Sequence, residues 1–209
     1  MKRNDVLTEL KELYAVRCPA IRSRLADFAA VPPNAYFFEL VYCLLTPQSR
    51  AEHADRVVAF LKQQDGEWSE QQLVDLLGHK EHYIRFHNTK AKRILVLKNH
   101  FPTIHAMILQ TGDSRALRAW LVAKVNGLGW KEASHFLRNI GHRNLAILDR
   151  HILRNLVRIR VIRSLPTTLT PSRYLAIERA FLLFADKFDI PMDELDLLFW
   201  SKETGKIMK

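Results

Sequence analysis

The stretch Val125-Asn126-Gly127-Leu128-Gly129-Trp130-Lys131-Glu132-Ala133 sits between two apolar patterns of helical period, Arg115 to Val125 and Trp130 to Ile140. Gly-Leu-Gly permits a tight turn, with the positive φ that glycine tolerates and a close approach of backbone. Leu128 is placed to plug the gap between the two helices. The second helix opens with backbone N–H groups that have no partner inside it, which suits a phosphate, so Gly127 and Gly129 are candidate DNA contacts. A plain helix–turn–helix link also carries Gly-x-Gly. The flanking helices and the charge of the chain favour nucleic acid.

That charge is large. Lys plus Arg is 32 against 22 for Asp plus Glu, a formal net charge of +10 over 209 residues. A surplus of this size points to a polyanionic partner, nucleic acid first and an anionic membrane surface second. Hydrophobic residues make up 48% of the chain, enough for a sizeable core in one domain or two small subdomains. Cys18 and Cys43 are the two cysteines, each among apolar neighbours. They form no disulfide framework and cannot supply the four thiolates of an iron–sulfur cluster. Met-Lys-Arg-Asn-Asp at the start has no apolar segment behind it, so no signal peptide is expected and a reducing cytoplasm fits. No apolar run approaches the ~18 residues that span a bilayer. A soluble monomer with no membrane partner is the expectation.

Outward from the hairpin the pattern is helical almost throughout, so the fold class is all-α. Val6, Leu7, Leu10, Leu13 and Tyr14 recur at helical spacing, as do Ile21, Leu25 and Phe28. Pro32-Pro33 breaks the chain, and Tyr36 to Leu45 is apolar nearly all round, a buried helix. Thr46-Pro47 reads as an N-cap and first-turn proline opening the helix that uses Ala51, Ala54, Val57, Val58 and Leu61 inward. Ser69 and Gln72 have capping-box spacing. Lys90 to Lys98 predicts a helix, and Pro102 is expected to open a separate one. Asp113 or Ser114 caps the helix that leads into the hairpin. Thr170-Pro171 opens a long helix through Phe188, and Pro191 a last one ending near Trp200.

Chemistry enters at Lys131 and Asp149. A lysine at the mouth of a helix becomes a nucleophile once desolvated, because burial and nearby positive dipoles disfavour its charged form. Most lysines are simply solvated. Asp149 is placed to cap a helix from Arg150 to Ile159, and a capping carboxylate is held rigidly. Arg138, Arg143, Arg150, Arg154, Arg158, Arg160 and Arg163 are accompanied by one acid, Asp149. Arg150 and Arg154 share a helix face and are candidate phosphate contacts. Arg85, Lys90, Lys92 and Arg93 form a second basic cluster. The nine histidines show no zinc-like spacing, so no metal cofactor is expected.

The hairpin, its lysine, and the segment Leu148-Asp149-Arg150-His151-Ile152, with Asp149 lying 18 residues after Lys131, resemble the helix-hairpin-helix DNA glycosylase superfamily. Glu132 to Gly141, Arg85-Phe86-His87-Asn88, and Leu195 to Trp200 with Thr204-Gly205 and Lys209 are similar to the archaeal-type 8-oxoguanine DNA glycosylase/AP lyase family. Thr46-Pro47-Gln48-Ser49 departs from that pattern, where an alanine–asparagine pair would stand in place of Pro47-Gln48.

The resemblance implies two helical subdomains flanking a cleft, residues 33–134 against 1–32 plus 135–209, with Lys131 and Asp149 facing each other. It implies base excision from oxidised double-stranded DNA, with Lys131 bonding C1′ as a Schiff base, Asp149 stabilising positive charge on the sugar, and strand cleavage by β-elimination. The flipped base is expected against Phe86 and Trp200, with Lys209 at its edge, and Gln48 filling the hole in the duplex. The hairpin carbonyls of Ala123, Val125 and Gly127 are expected to suit a monovalent cation. Two rivals stay open: a glycosylase/lyase of the same class acting on oxidised pyrimidines, and a non-enzymatic hairpin module that only grips phosphate.

Overall fold

The helical periods close into ten α-helices and two short 3-10 turns, with no strand among the described residues. The structure is a computed structural model and describes residues 3–64 and 67–207. By packing, the chain divides into two units, Val31–Phe136 and Met1–Ala30 with Leu137–Lys209. No single helix among the described residues is long and apolar enough to cross a membrane.

The unit of residues 31–136 is built around α2 (Tyr36–Leu45), in which Leu40 to Leu45 are all buried. This helix packs on α3 (Ala51–Lys62) and α5 (His87–Gln110), while α4 (Glu70–Gly78) and α6 (Ser114–Lys124) also pack on α5. The cap signals hold. Ser69 Oγ accepts from the Gln72 N–H at 3.2 Å, and Gln72 Oε1 accepts from the Ser69 N–H at 2.8 Å, closing the capping box. Asp113 accepts from the Arg115 N–H at 2.8 Å and starts α6.

Two expectations fail here. Pro102 opens no new helix, because α5 runs through it without interruption. A proline inside a helix costs roughly 3 kcal/mol. Ile94, Leu97, Ile104 and Ile108 are all buried on either side of it, and each contributes about 1.5–3 kcal/mol, so burial carries the helix across. Thr46-Pro47 does not open α3 either. The Thr46 N–H returns to Tyr42 O at 3.1 Å and its hydroxyl to Cys43 O at 3.2 Å, so Thr46 closes α2. The α3 helix starts at Ala51 with Arg50 as N-cap, and residues 46–50 form a turn.

The other unit has α10 (Met192–Thr204) at its centre, packed against α1 (Arg3–Ala29), α8 (Arg150–Arg158) and α9 (Pro171–Phe188). Thr170 caps α9 through its hydroxyl, which accepts from the Arg173 N–H at 3.3 Å. From Met192 to Phe199 every residue of α10 is buried, acids included. Asp196 pairs with Arg138 at 3.4 Å, with both side chains about 95% withdrawn from solvent (4% and 5% exposed). Arg138, the first of the seven arginines named above, is therefore a core residue, its guanidinium also lying over Phe28. The last hairpin helix, α7 (Trp130–Asn139), runs across the division between the two units.

Candidate catalytic residues and nucleic-acid interface

The hairpin turn between α6 and α7 is shaped by Gly127, whose φ is +88° and whose missing Cβ would stand 2.7 Å from the Arg93 side chain. Gly129 has no positive φ. Its constraint is contact, since a Cβ there would meet Glu132 Oε2 at 2.8 Å. Leu128 is buried as the plug, and its N–H returns to Val125 O at 3.1 Å. An open hollow of about 610 Å³ is lined by Arg93 and residues Val122 to Gly129. Lys131 stands in the first turn of α7, 29% exposed, its Nζ 3.1 Å from Glu132 Oε1. Past that turn α7 is buried all round, from Ala133 at 0% exposure to Asn139 at 0%. The amine is thus mounted at the accessible end of a rigid helix.

Asp149 is the N-cap of α8, with Oδ1 accepting from the Ile152 N–H at 2.8 Å. Its other oxygen accepts from Trp200 Nε1 at 2.8 Å. Both carboxylate oxygens are therefore held, one by each of two helices. The ring of Trp200 meets His151 edge-on at 5.7 Å between centroids.

The chain leading into Asp149 has no strand partner, and side chains take the place of a ladder. The Asn144 N–H donates to Asp193 (3.1 and 3.2 Å), the Ala146 N–H to Glu178 at 2.8 Å and the Leu148 N–H to Tyr174 at 3.3 Å. The Tyr174 hydroxyl donates in turn to Ala146 O at 2.5 Å. Every second N–H is captured, the spacing of an extended chain. Burial pushes the Asp196 carboxyl up to about 7; the Arg138 charge opposes this, and the negative charges of Asp149 and Asp193 add to it. Asp193 is raised too, chiefly by burial, against the Asn144 N–H and the Arg143 charge.

In the other unit two exposed residues stand in the left-handed region, Gln48 at φ +56° and Phe86 at φ +60°. Such a backbone costs a non-glycine residue roughly 1–2 kcal/mol and marks positions worth a functional reading. Phe86 is 51% exposed, N-caps α5 and lies under the Arg85 guanidinium, 5.0 Å from its ring centre. Between the two lies Lys90, 2% exposed. Its Nζ donates to Leu45 O and Pro47 O, both at 2.8 Å, and to Ser49 Oγ at 3.3 Å. Burial pushes its pKa down to about 8, the charges of Arg93 and Lys131 adding to this and Glu132 opposing it. Lys90 is therefore no phosphate contact, contrary to its place in the basic cluster read from sequence.

Residues 21–190 match the family described as 8-oxoguanine DNA glycosylase. The chain belongs to that family. A relative from Fusobacterium nucleatum named 8-oxoguanine DNA glycosylase/AP lyase is 39% identical, with 100% of both chains covered. One of the same name from Methanocaldococcus jannaschii is 33% identical over 97% of this chain and 94% of its own. The crystal structure of the M. jannaschii 8-oxoguanine glycosylase/lyase in complex with a 15mer DNA containing 8-oxoguanine superposes with a TM-score of 0.88, at 30% identity, covering 98% of this chain and 99% of that one.

Within this family member, Lys131, Gly127, Gly129, Gln48 and Phe86 fall in the 31–136 unit, and Asp149, Trp200, Arg150 and Arg154 in the other. Arg150 and Arg154 are exposed on α8, while Arg158 of the same face pairs with Glu9 at 3.1 Å. Lys209 lies outside the described residues. Sequence reasoning misread Lys90 as surface charge and missed Tyr174, Glu178, Asp193 and Asp196. The signal for Lys90 was its spacing, since positions 90, 94 and 97 form one helical stripe with buried Ile94 and Leu97. The signal for Asp193 and Asp196 was a helix with no polar face.

Proposed function

We infer that the chain is an 8-oxoguanine DNA glycosylase/AP lyase of base excision repair, acting on double-stranded DNA as a soluble cytoplasmic monomer. The observation that carries this is full-length similarity to enzymes of that name, together with an amine mounted on the hairpin helix and a carboxylate held at both oxygens.

In this reading the damaged nucleotide is flipped out of the duplex, and Gln48 fills the space it leaves. Phe86 and Trp200 supply aromatic faces for the base, and Lys209 its edge contact. As the bond from C1′ to the base nitrogen breaks, the base leaves with the electron pair and positive charge develops on the sugar. Asp149, aimed by the Ile152 N–H and Trp200 Nε1, stabilises that charge. Lys131 must shed a proton before it attacks C1′, and the Glu132 carboxylate at 3.1 Å is within reach to accept it. Attack by the neutral amine joins Nζ to C1′, opening of the sugar gives the imine, and loss of a C2′ proton expels the 3′ phosphate. Gly127, Gly129, Arg150 and Arg154 hold backbone phosphates. The hairpin carbonyls of Ala123, Val125 and Gly127 are the place for a monovalent cation. Val125 O already accepts the Leu128 N–H and Arg93 stands beside Gly127, so no chemical step is assigned to the ion.

Borohydride trapping on an 8-oxoguanine duplex tests the reading. Wild-type protein should give a covalent adduct and Lys131→Gln none, with duplex affinity retained. Full trapping by Lys131→Gln, or no excision by wild type, would overturn it.

A further inference from the structure

Lys90 is a buried cation to which no carboxylate among the described residues is bonded. It occupies the first turn of α5, where the positive end of the helix dipole disfavours a cation. Burial disfavours its charge as well. A methionine stem would fill the same space with neither penalty, so core packing alone does not explain a lysine here. Its contacts do. Its three N–H donors meet three oxygens, Leu45 O, Pro47 O and Ser49 Oγ. These alternate along the chain, so the ammonium grips one side of the turn from which Gln48 projects at φ +56°. Ser49 Oγ is shared, because it also accepts the Arg85 N–H at 3.0 Å. The Lys90 N–H donates to Phe86 O at 3.0 Å. Side chain and backbone of one residue thus bind the Gln48 turn and the Phe86 corner to each other.

We propose that Lys90 is a positioning residue that locks the Pro47–Ser49 turn to the Arg85–Phe86 corner, so that Gln48 and Phe86 meet lesion DNA as one preorganised pair. This rests on the reading above, in which Gln48 fills the opened duplex and Phe86 offers its face to the flipped base. Both occupy backbone conformations that a flexible turn would abandon, and a loosened pair would have to be ordered again at each encounter.

A double-mutant cycle on the full chain separates positioning from mere support. Single-turnover excision of 8-oxoguanine should fall about tenfold in Lys90→Met, the scale of losing one charge-assisted hydrogen bond. Gln48→Ala should fall comparably, and Lys90→Met in the Gln48→Ala background should add little. Losses that multiply, or full activity in Lys90→Met, overturn the proposal. Hydrogen exchange gives a readout independent of catalysis. The amides of Ser49, Arg85 and Lys90 should exchange faster together in Lys90→Met, with the rest of the unit unchanged. Ser49→Ala, which keeps the lysine but removes the shared acceptor, should release Arg85 alone and lower excision less. Unchanged exchange at Arg85 in both variants, or faster exchange throughout the unit, overturns it. Failure of the functional reading looks different, since wild type would then excise nothing while the exchange pattern remained.

Discussion

The two units solve the same problem with opposite charges. In the 31–136 unit, the irregular turn carrying Gln48 offers oxygens at positions 45, 47 and 49, and a buried lysine collects them. In the other unit, the irregular chain leading to Asp149 offers N–H groups at 144, 146 and 148, and a buried aspartate, glutamate and tyrosine collect those. Backbone outside helices and sheets must still satisfy its polar groups when buried. A cation serves carbonyls and an anion serves amides. Each burial disfavours the charged form, so the Lys90 pKa falls and those of Asp193 and Asp196 rise. Both stretches end on residues assigned to DNA chemistry, which suggests that the buried charges are tolerated for what they aim.

The largest expected effect is at the end of the acid-held stretch. Asp149→Asn keeps an oxygen to cap α8 but loses the charge, so the fold should persist while base excision falls about 10²–10³-fold. Single-turnover rates with a thermal melt check both halves. Near-normal excision would leave Asp149 only its cap. Trp200→Phe comes next, keeping an aromatic face while removing the Nε1–H that holds Asp149 Oδ2. A hydrogen bond to a charged group contributes about 1.5–3 kcal/mol, so excision should fall by roughly one to two decades. No loss would mean that this contact does not aim the carboxylate. Third is Tyr174→Phe, which leaves Ala146 O and the Leu148 N–H without their partner. A stability loss of about 1–3 kcal/mol is expected. If the acid-held stretch positions Asp149, kcat falls several-fold while KM for DNA stays put. A change in stability alone would make the stretch a support and break the comparison.

Helices, caps and the hairpin were legible because they depend on local spacing. Ser69 with Gln72, Asp113, and Thr170 with Pro171 announce helix starts within four residues of sequence. Lys131 and Asp149 were legible as motifs. Turn conformation was not, since Thr46-Pro47 suits a helix start equally well until Lys90, more than forty residues away, takes the carbonyls. Arg138 and Lys90 read as surface charge because composition counts charges without their partners, and those partners come from distant segments. The acid-held stretch is the extreme case. Nothing in residues 144–148 names Tyr174 or Glu178, and only the packing of α9 brings them there.

Titration tests the comparison by sign. Asp196 has a raised folded pKa, about 7 against an ordinary 3.8. The folded state therefore binds more protons than the unfolded state between pH 4 and 7, and the contribution of Asp196 to stability falls as pH rises through that window. The Asp196→Asn variant should lack this slope. In melts compared between the two proteins, wild type should lose ground by roughly ten degrees from pH 4 to 7, the rise from 3.8 to about 7 being worth about 4 kcal/mol at roughly 2–4 °C per kcal/mol for a chain of this size. A flat difference would mean that Asp196 stays ionised and the Arg138 pair dominates.

Lys90 should give the smallest effect, and with the opposite slope. Its folded pKa is about 8 against an ordinary 10.5. Between those values the unfolded chain holds a proton that the folded chain has released, so stability rises with pH. Tyr14, raised well above its ordinary value by burial and by its bonds to Cys18 and Glu194, lowers stability above pH 10, which confines a clean measurement to pH 8–9.5. Wild type compared with Lys90→Met cancels the other groups, and wild type should gain relative to the variant across that window. The same deprotonation leaves two N–H donors for three oxygens, so the Gln48 turn loosens as the protein grows more stable. Exchange at the Ser49 and Arg85 amides, corrected for its intrinsic rise with pH, should therefore quicken while the melting temperature climbs. A support residue would move both in the same protective direction. Opposed movement is what a charge retained for positioning requires, and parallel movement would remove Lys90 from one side of the comparison.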